Sequence, residues 1–165
     1  IADTGEFAWR LPEKDRGLIE VRAPRAKMVF GHADGRTFDL GHGVRLSVGK
    51  TMTGWCTITL VLLEGDAFDR NPKRALLAAT AYTENTGMGW KNEAKDTVGT
   101  DWGRPPSLVE PVPATLRFAP AAGVPALYPL NDRGQRTGAA VAAGPDGALD
   151  LGPPHRTLWY EVTRD

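Results

Sequence analysis

The chain predicts an all-β protein, an antiparallel β-sandwich of jelly-roll-like type carrying one long ordered loop, and three observations lead there. About a dozen short stretches rich in β-branched, aromatic and aliphatic residues recur along it, each bounded by Gly, Pro, Asn or Asp. Turn-forming residues sit between them. The 19 glycines and 13 prolines make up about a fifth of the 165 residues, too many for a helical bundle and too few for low-complexity disorder.

In chain order the strand-like stretches are 6–10, 17–22, 27–30, 37–40, 44–48, 54–63, 74–85, 114–118, 124–130, 136–141, 148–151 and 157–163. Their even spacing is that of a sandwich. The connections Ala33-Asp34-Gly35, Gly41-His42-Gly43, Glu64-Gly65-Asp66, Asn131-Asp132-Arg133-Gly134 and Gly144-Pro145-Asp146-Gly147 supply residues that tolerate positive φ or pre-set a turn, so each reads as a hairpin or a corner. Trp9, Trp55 and Trp159 fall inside strands and read as core or strand-face residues. Trp159 and Tyr160 are adjacent and must point to opposite faces, which leaves one of them outside the core unless another layer covers it.

Two segments resist this pattern. Residues 71–81 could open a helix, with Asn71 as N-cap and Pro72 at the first helical position. The run continues straight into Tyr82-Thr83-Glu84-Asn85, however, and a strand covered on both faces can carry Ala and Leu, so we read a strand. Residues 86–107 hold four glycines and two prolines with no sustained period. Loops of that length in compact domains are usually functional or disordered, and a disordered loop would rarely carry Trp90 and Trp102. We read an ordered excursion that packs on the body of the domain or forms part of a site.

Charge and composition exclude several classes. Twenty basic residues balance 20 acidic ones, which argues against binding nucleic acid or an anionic membrane by bulk electrostatics. The longest apolar run, 55–63, is far short of the ~20 residues of a bilayer crossing. The length suits one domain, 1–165, able to bury its own core. The start at Ile1, without a basic and apolar leader, reads as a piece cut from a longer polypeptide. The single cysteine, Cys56, rules out an intramolecular disulfide and a thiolate zinc site, and its strand setting makes it a buried, inert thiol.

Sugars present C–H patches to flat aromatic faces and hydroxyls to directional polar partners. The long loop offers both, and the candidate ligand-binding residues are Trp90, Trp102, Asn92, Glu93, Asp101 and Arg104. The competing reading makes the two tryptophans core or loop-anchoring residues whose N–H groups find backbone partners. No catalytic residues are assigned. Glu84 and Glu110 flank the loop and are the pair one would nominate for glycosidase chemistry, although many acidic pairs would serve equally. His32, His42 and His155 lie in Gly- or Pro-flanked turns without metal-ligand spacing, and no phosphate-cradling glycine loop is present. No cofactor follows; a structural calcium ion is left open, without an Asp-x-Asp-x-Asp pattern to hold it. Arg22, Arg25, Lys27, Arg36 and Arg45 could form a basic face for an acidic glycan, or be the ordinary solvated side of strands.

Several phrases together resemble the non-catalytic β-sandwich regions that sit beside catalytic domains in large bacterial glycoside hydrolases. They are Asp3-Thr4-Gly5-Glu6-Phe7-Ala8-Trp9 with Gly17-Leu18-Ile19-Glu20-Val21 and Ala23-Pro24-Arg25-Ala26; Leu76-Leu77-Ala78-Ala79-Thr80-Ala81 leading to Glu84-Asn85-Thr86-Gly87-Met88-Gly89-Trp90; Trp102-Gly103 with Pro105-Pro106-Ser107-Leu108-Val109-Glu110; and the closing Leu130-Asn131-Asp132-Arg133-Gly134-Gln135-Arg136 and Thr157-Leu158-Trp159-Tyr160-Glu161-Val162. The resemblance implies a secreted, extracellular accessory module, first of all a carbohydrate-binding module holding a polysaccharide or oligosaccharide near a catalytic domain of the same polypeptide. It carries over no binding residues one by one. Two other classes stay in play: a structural sandwich packing on the catalytic domain without binding sugar, and a small glycan-active enzyme.

Overall fold

The computed structural model describes residues 2–13, 16–119 and 125–164. Among them the chain forms thirteen strands: β1 (Phe7–Glu13), β2 (Arg16–Arg22), β3 (Ala26–His32), β4 (Thr37–Asp39), β5 (Val44–Val48), β6 (Trp55–Glu64), β7 (Arg74–Thr80), β8 (Thr83–Thr86), β9 (Arg104–Val109), β10 (Ala114–Phe118), β11 (Pro125–Pro129), β12 (Leu149–Leu151) and β13 (Trp159–Arg164). A seven-stranded antiparallel sheet runs β1-β2-β3-β6-β7-β13-β11, and a four-stranded one runs β12-β10-β5-β4. Their facing surfaces enclose one apolar core, the antiparallel β-sandwich that the strand spacing predicts.

Alternation decides which side of each strand faces inward. Along β6, Cys56, Ile58, Leu60 and Leu62 are buried, while Val61 and Leu63 are exposed; β5 buries Val44, Leu46 and Val48. Leu77, Leu127 and Leu149 are fully enclosed, and each such side chain contributes about 1.5–3 kcal/mol of burial. Gly31 in β3 is required by sterics: its φ is 121°, and a Cβ there would collide with the Gly17 carbonyl on β2.

Within the stretch 71–81 the chain forms a strand, Arg74–Thr80, and no helix. Asn71 has a φ of 50°, in the left-handed region, so it caps no helix. The strand ends at Thr80, and Thr83–Thr86 forms a separate one. The expected strand at 136–141 does not form; only isolated bridges pair Arg136 with Leu130 and Val141 with Leu127, because the exposed Gly138-Ala139-Ala140 run offers nothing to bury. Within the expected long loop, Arg104–Val109 is a strand, which pairs with β8 as a two-stranded ribbon and contains the cis peptide Pro105–Pro106. The start of the stretch expected at 124–130 lies outside the described residues.

Candidate functional site

The β8–β9 ribbon projects the loop 87–103 from its tip, and local hydrogen bonds fix the ribbon's shape. Asn85 and Ser107 face each other in register, and the Ser107 hydroxyl donates to Asn85 Oδ1 at 2.7 Å. Asn85 Nδ2 then donates to the Trp102 carbonyl at 3.0 Å. Gly103 has positive φ, and a Cβ there would press on the backbone of Thr86 and Met88. The loop therefore returns close against its own starting residues, with the Gly89 amide bonded to the Asp101 carbonyl at 3.0 Å.

Below this lies a cluster around Glu84. Its Oε2 accepts from the Tyr82 hydroxyl at 2.8 Å, the Trp90 indole N–H at 3.0 Å and the Lys95 ammonium at 3.4 Å. Lys95 also stands over the Tyr82 ring at 4.8 Å and the Trp90 ring at 5.9 Å, both within cation–π range. The Trp90 indole, with the Tyr82 hydroxyl and Lys95, holds the Glu84 carboxyl below its ordinary pKa. Burial, then the bond to Glu84, pushes the Tyr82 phenol up. Glu84 is thus an ionised acceptor with three donors and not a poised acid. Glu110 is committed elsewhere, accepting the Met52 amide at 2.8 Å and the Tyr82 amide at 3.4 Å through its two oxygens. Both carboxylates hold loops in place.

The six candidate residues divide accordingly. Trp90 is half-buried with its N–H spent on Glu84, the anchoring role. Trp102 is 63% exposed, and its sequence neighbours Asp101 and Arg104 are exposed too. Asn92 is exposed and closes a small turn, bonding Asp96 Oδ1 at 2.6 Å, and Glu93 is exposed beside it. No group of three or more His, Cys, Asp or Glu among the described residues is placed to hold a metal ion. His42 instead pairs with Asp69 at 3.0 Å, holding that carboxyl below its usual range, and His155 Nε2 contacts the Asp150 carbonyl at 3.1 Å. Cys56 is fully buried, and burial pushes its thiol up to about 12.

A second surface stands out that the sequence reading passed over. The outer face of the seven-stranded sheet carries a broad set of exposed large hydrophobics, interrupted by threonines and, on the β7–β13 side, by Arg74 and Glu161. One cross-strand row reads Phe7, Val21, Met28, Thr59, Ala78 and Trp159, and the next Trp9, Ile19, Phe30, Thr57 and Thr80. Trp9 (64%), Leu11 (69%), Phe7, Val61, Leu63, Leu76 and Trp159 are all exposed large hydrophobics. Trp159 lies outside while Tyr160 is enclosed, as adjacency requires. Of the three strand tryptophans only Trp55 is half-buried, edge-on to Phe30 with ring centroids 5.0 Å apart.

No protein-family model, curated protein or solved structure matches this chain.

Proposed function

We propose that this chain is a non-catalytic β-sandwich accessory module that packs on a protein surface through the outer face of its seven-stranded sheet. The observation that carries the reading is that face itself: Phe7, Trp9, Leu11, Val61, Leu63, Leu76 and Trp159, all exposed on one sheet. Contiguous apolar patches of this kind mark protein contacts. Leu11, Val61, Leu63 and Leu76 on this face offer a sugar neither a stacking plane nor a directional partner, and they separate the aromatic members Phe7 and Trp9 from Trp159. With the resemblance noted above, the surface it packs on is a glycoside hydrolase catalytic domain of the same, secreted polypeptide.

A second reading, carbohydrate binding, is favoured by one specific observation. Trp102 presents its ring to solvent on a hydrogen-bonded base with Asp101 and Arg104 exposed beside it, the combination of stacking surface and polar partners that a glycan needs. Asn92 and Glu93 are exposed on the same loop, and Trp90 supports it from beneath.

Oxidative footprinting of the tryptophans separates the two. The packing reading expects Trp9 and Trp159 to react freely in the isolated module and to be protected when it is joined to its catalytic domain, with Trp102 unchanged. The binding reading expects protection of Trp102 by a polysaccharide, from a panel of cellulose, mixed-linkage glucan, xylan, mannan and chitin, lost in Trp102→Ala. Equal reactivity of Trp9 and Trp159 in the joined and isolated forms overturns the packing reading.

A further inference from the structure

At one open edge of the sandwich, β1 and β2 of the larger sheet face β4 of the smaller across a cleft of about 490 Å³, within the size range of small-ligand sites. Leu18 and Phe38 contribute buried apolar surface to it, and Arg10, Arg22 and Arg36 converge on it from three segments.

What organises them is Glu20. Its side chain is 6% exposed, and its two oxygens are divided between two arginines: Oε1 takes Arg10 Nε at 3.2 Å, while Oε2 takes Arg22 Nε at 3.2 Å together with Arg22 Nη2 in a forked contact. A guanidinium has five N–H donors in a fixed plane, so these bonds orient both groups and leave further donors on each. Arg36 completes the set, and its guanidinium makes no hydrogen bond or ion pair among the described residues. Asp39, the other carboxylate lining the cleft, is partly engaged by the Gly41 amide at 2.9 Å. Against Glu20 and Asp39 the three arginines leave one positive charge in excess, over an apolar floor that strengthens it.

We propose that this cleft binds the oxyanion of an acidic oligosaccharide, a uronate carboxylate or a sulfate ester, with Arg36 and the free donors of Arg22 and Arg10 as its partners. Planar guanidinium groups match carboxylate and sulfate oxygens through paired N–H···O bonds, which a lysine cluster would not do. The sugar carrier rests on the carbohydrate reading above; the oxyanion rests on the cleft alone. Neither depends on the outer sheet face, so failure here leaves the packing reading standing.

The test is calorimetric titration at low salt with trigalacturonate, its methyl ester, a sulfated galactan trisaccharide and citrate. We expect the trigalacturonate or the sulfated sugar to bind and the methyl ester, which lacks only the charge, not to. Arg36→Gln should weaken binding about tenfold or more, the worth of charge-assisted hydrogen bonds, with an unchanged melting temperature because Arg36 holds nothing in the fold. Arg22→Lys, which keeps the charge and loses the fork, should weaken it as well. Binding of the methyl ester as tightly as the acid, undiminished binding in both variants, or no binding by any charged ligand would overturn the proposal, and binding of citrate alone would overturn the sugar.

Discussion

Replacing Lys27 by Met should remove an alkaline contribution of about 3 kcal/mol to the protein's stability. Lys27 lies on the inner face of β3, 1% exposed, with its ammonium donating to the Ala23 carbonyl at 2.7 Å and the Arg22 carbonyl at 3.3 Å, and 5.6 Å from the centre of the Phe68 ring. Burial lowers its pKa from 10.5 to about 8; the carboxylates of Asp69, Glu6 and Asp39 oppose the drop only in part. Between those two values the unfolded chain holds a proton that the folded one has released, so stability rises with pH across that window. The gain amounts to about 3 kcal/mol when the window has been crossed. Cys56 works the other way: its thiol, raised by burial to about 12, costs stability as pH climbs above the ordinary thiol range. Both proteins carry Cys56, so it cancels in the difference. The assay is urea unfolding of wild type and Lys27→Met at matched pH values from neutral to strongly alkaline. Wild type should gain about 3 kcal/mol on the variant over that range, most of it between the two pKa values. Parallel curves would refute the reasoning, since they would mean that Lys27 keeps an ordinary pKa in the fold.

Three other outcomes are expected. Leu77→Ala, at a fully enclosed position, should cost about 2–5 kcal/mol in urea unfolding, whereas Trp102→Ala should stay within about 0.5 kcal/mol of wild type because its ring packs on little. A thiol reagent should leave Cys56 unmodified in the native protein at neutral pH and react fully on unfolding; native-state labelling would contradict its burial. Glu84 has a depressed pKa, so its contribution is present above the ordinary carboxylate range and is lost as pH falls through the acid range. Glu84→Gln should therefore flatten part of the acid limb of stability and speed amide exchange in 91–97, where Lys95 loses its ion pair; an unchanged acid limb would count against the cluster.

The sandwich was legible because burial leaves a period-two trace. Val44–Val48 and Ala114–Phe118 match their predicted bounds, since their buried residues alternate without interruption. Strand β9 left no such trace: all of its residues but Val109 are exposed, two are prolines, and among the described residues its one strand neighbour is β8. The opposite error at 136–141 came from its strand-like composition: Gly138, Ala139 and Ala140 are exposed, and Val141, which packs against the core, makes an isolated bridge instead of extending a strand. Trp159 and Tyr160 could be assigned to opposite faces, yet the apolar outer face could not be foreseen, because a strand apolar on both sides reads the same whether or not a layer covers the second. For the cleft, Arg22 and Arg36 were visible as basic residues in the sequence. Their meeting with Arg10 around Glu20 depends on which edges of two sheets face each other, a long-range fact that local spacing does not encode.

The bonds beneath Trp102 bear on what a contact there would cost. The Asn85 amide holds the Trp102 carbonyl, Ser107 holds Asn85, and the Gly89 amide ties down Asp101. A partner meeting that ring does not have to order a seventeen-residue loop, 87–103, on arrival; only the two side-chain torsions of the indole remain to be restricted. The entropy of arranging the backbone has been met once, during folding, by glycine geometry and amide hydrogen bonds. On the carbohydrate reading, even a small contact area at this point would then suffice for measurable affinity, and loosening Asn85 would weaken that binding without removing an atom of the contact surface itself.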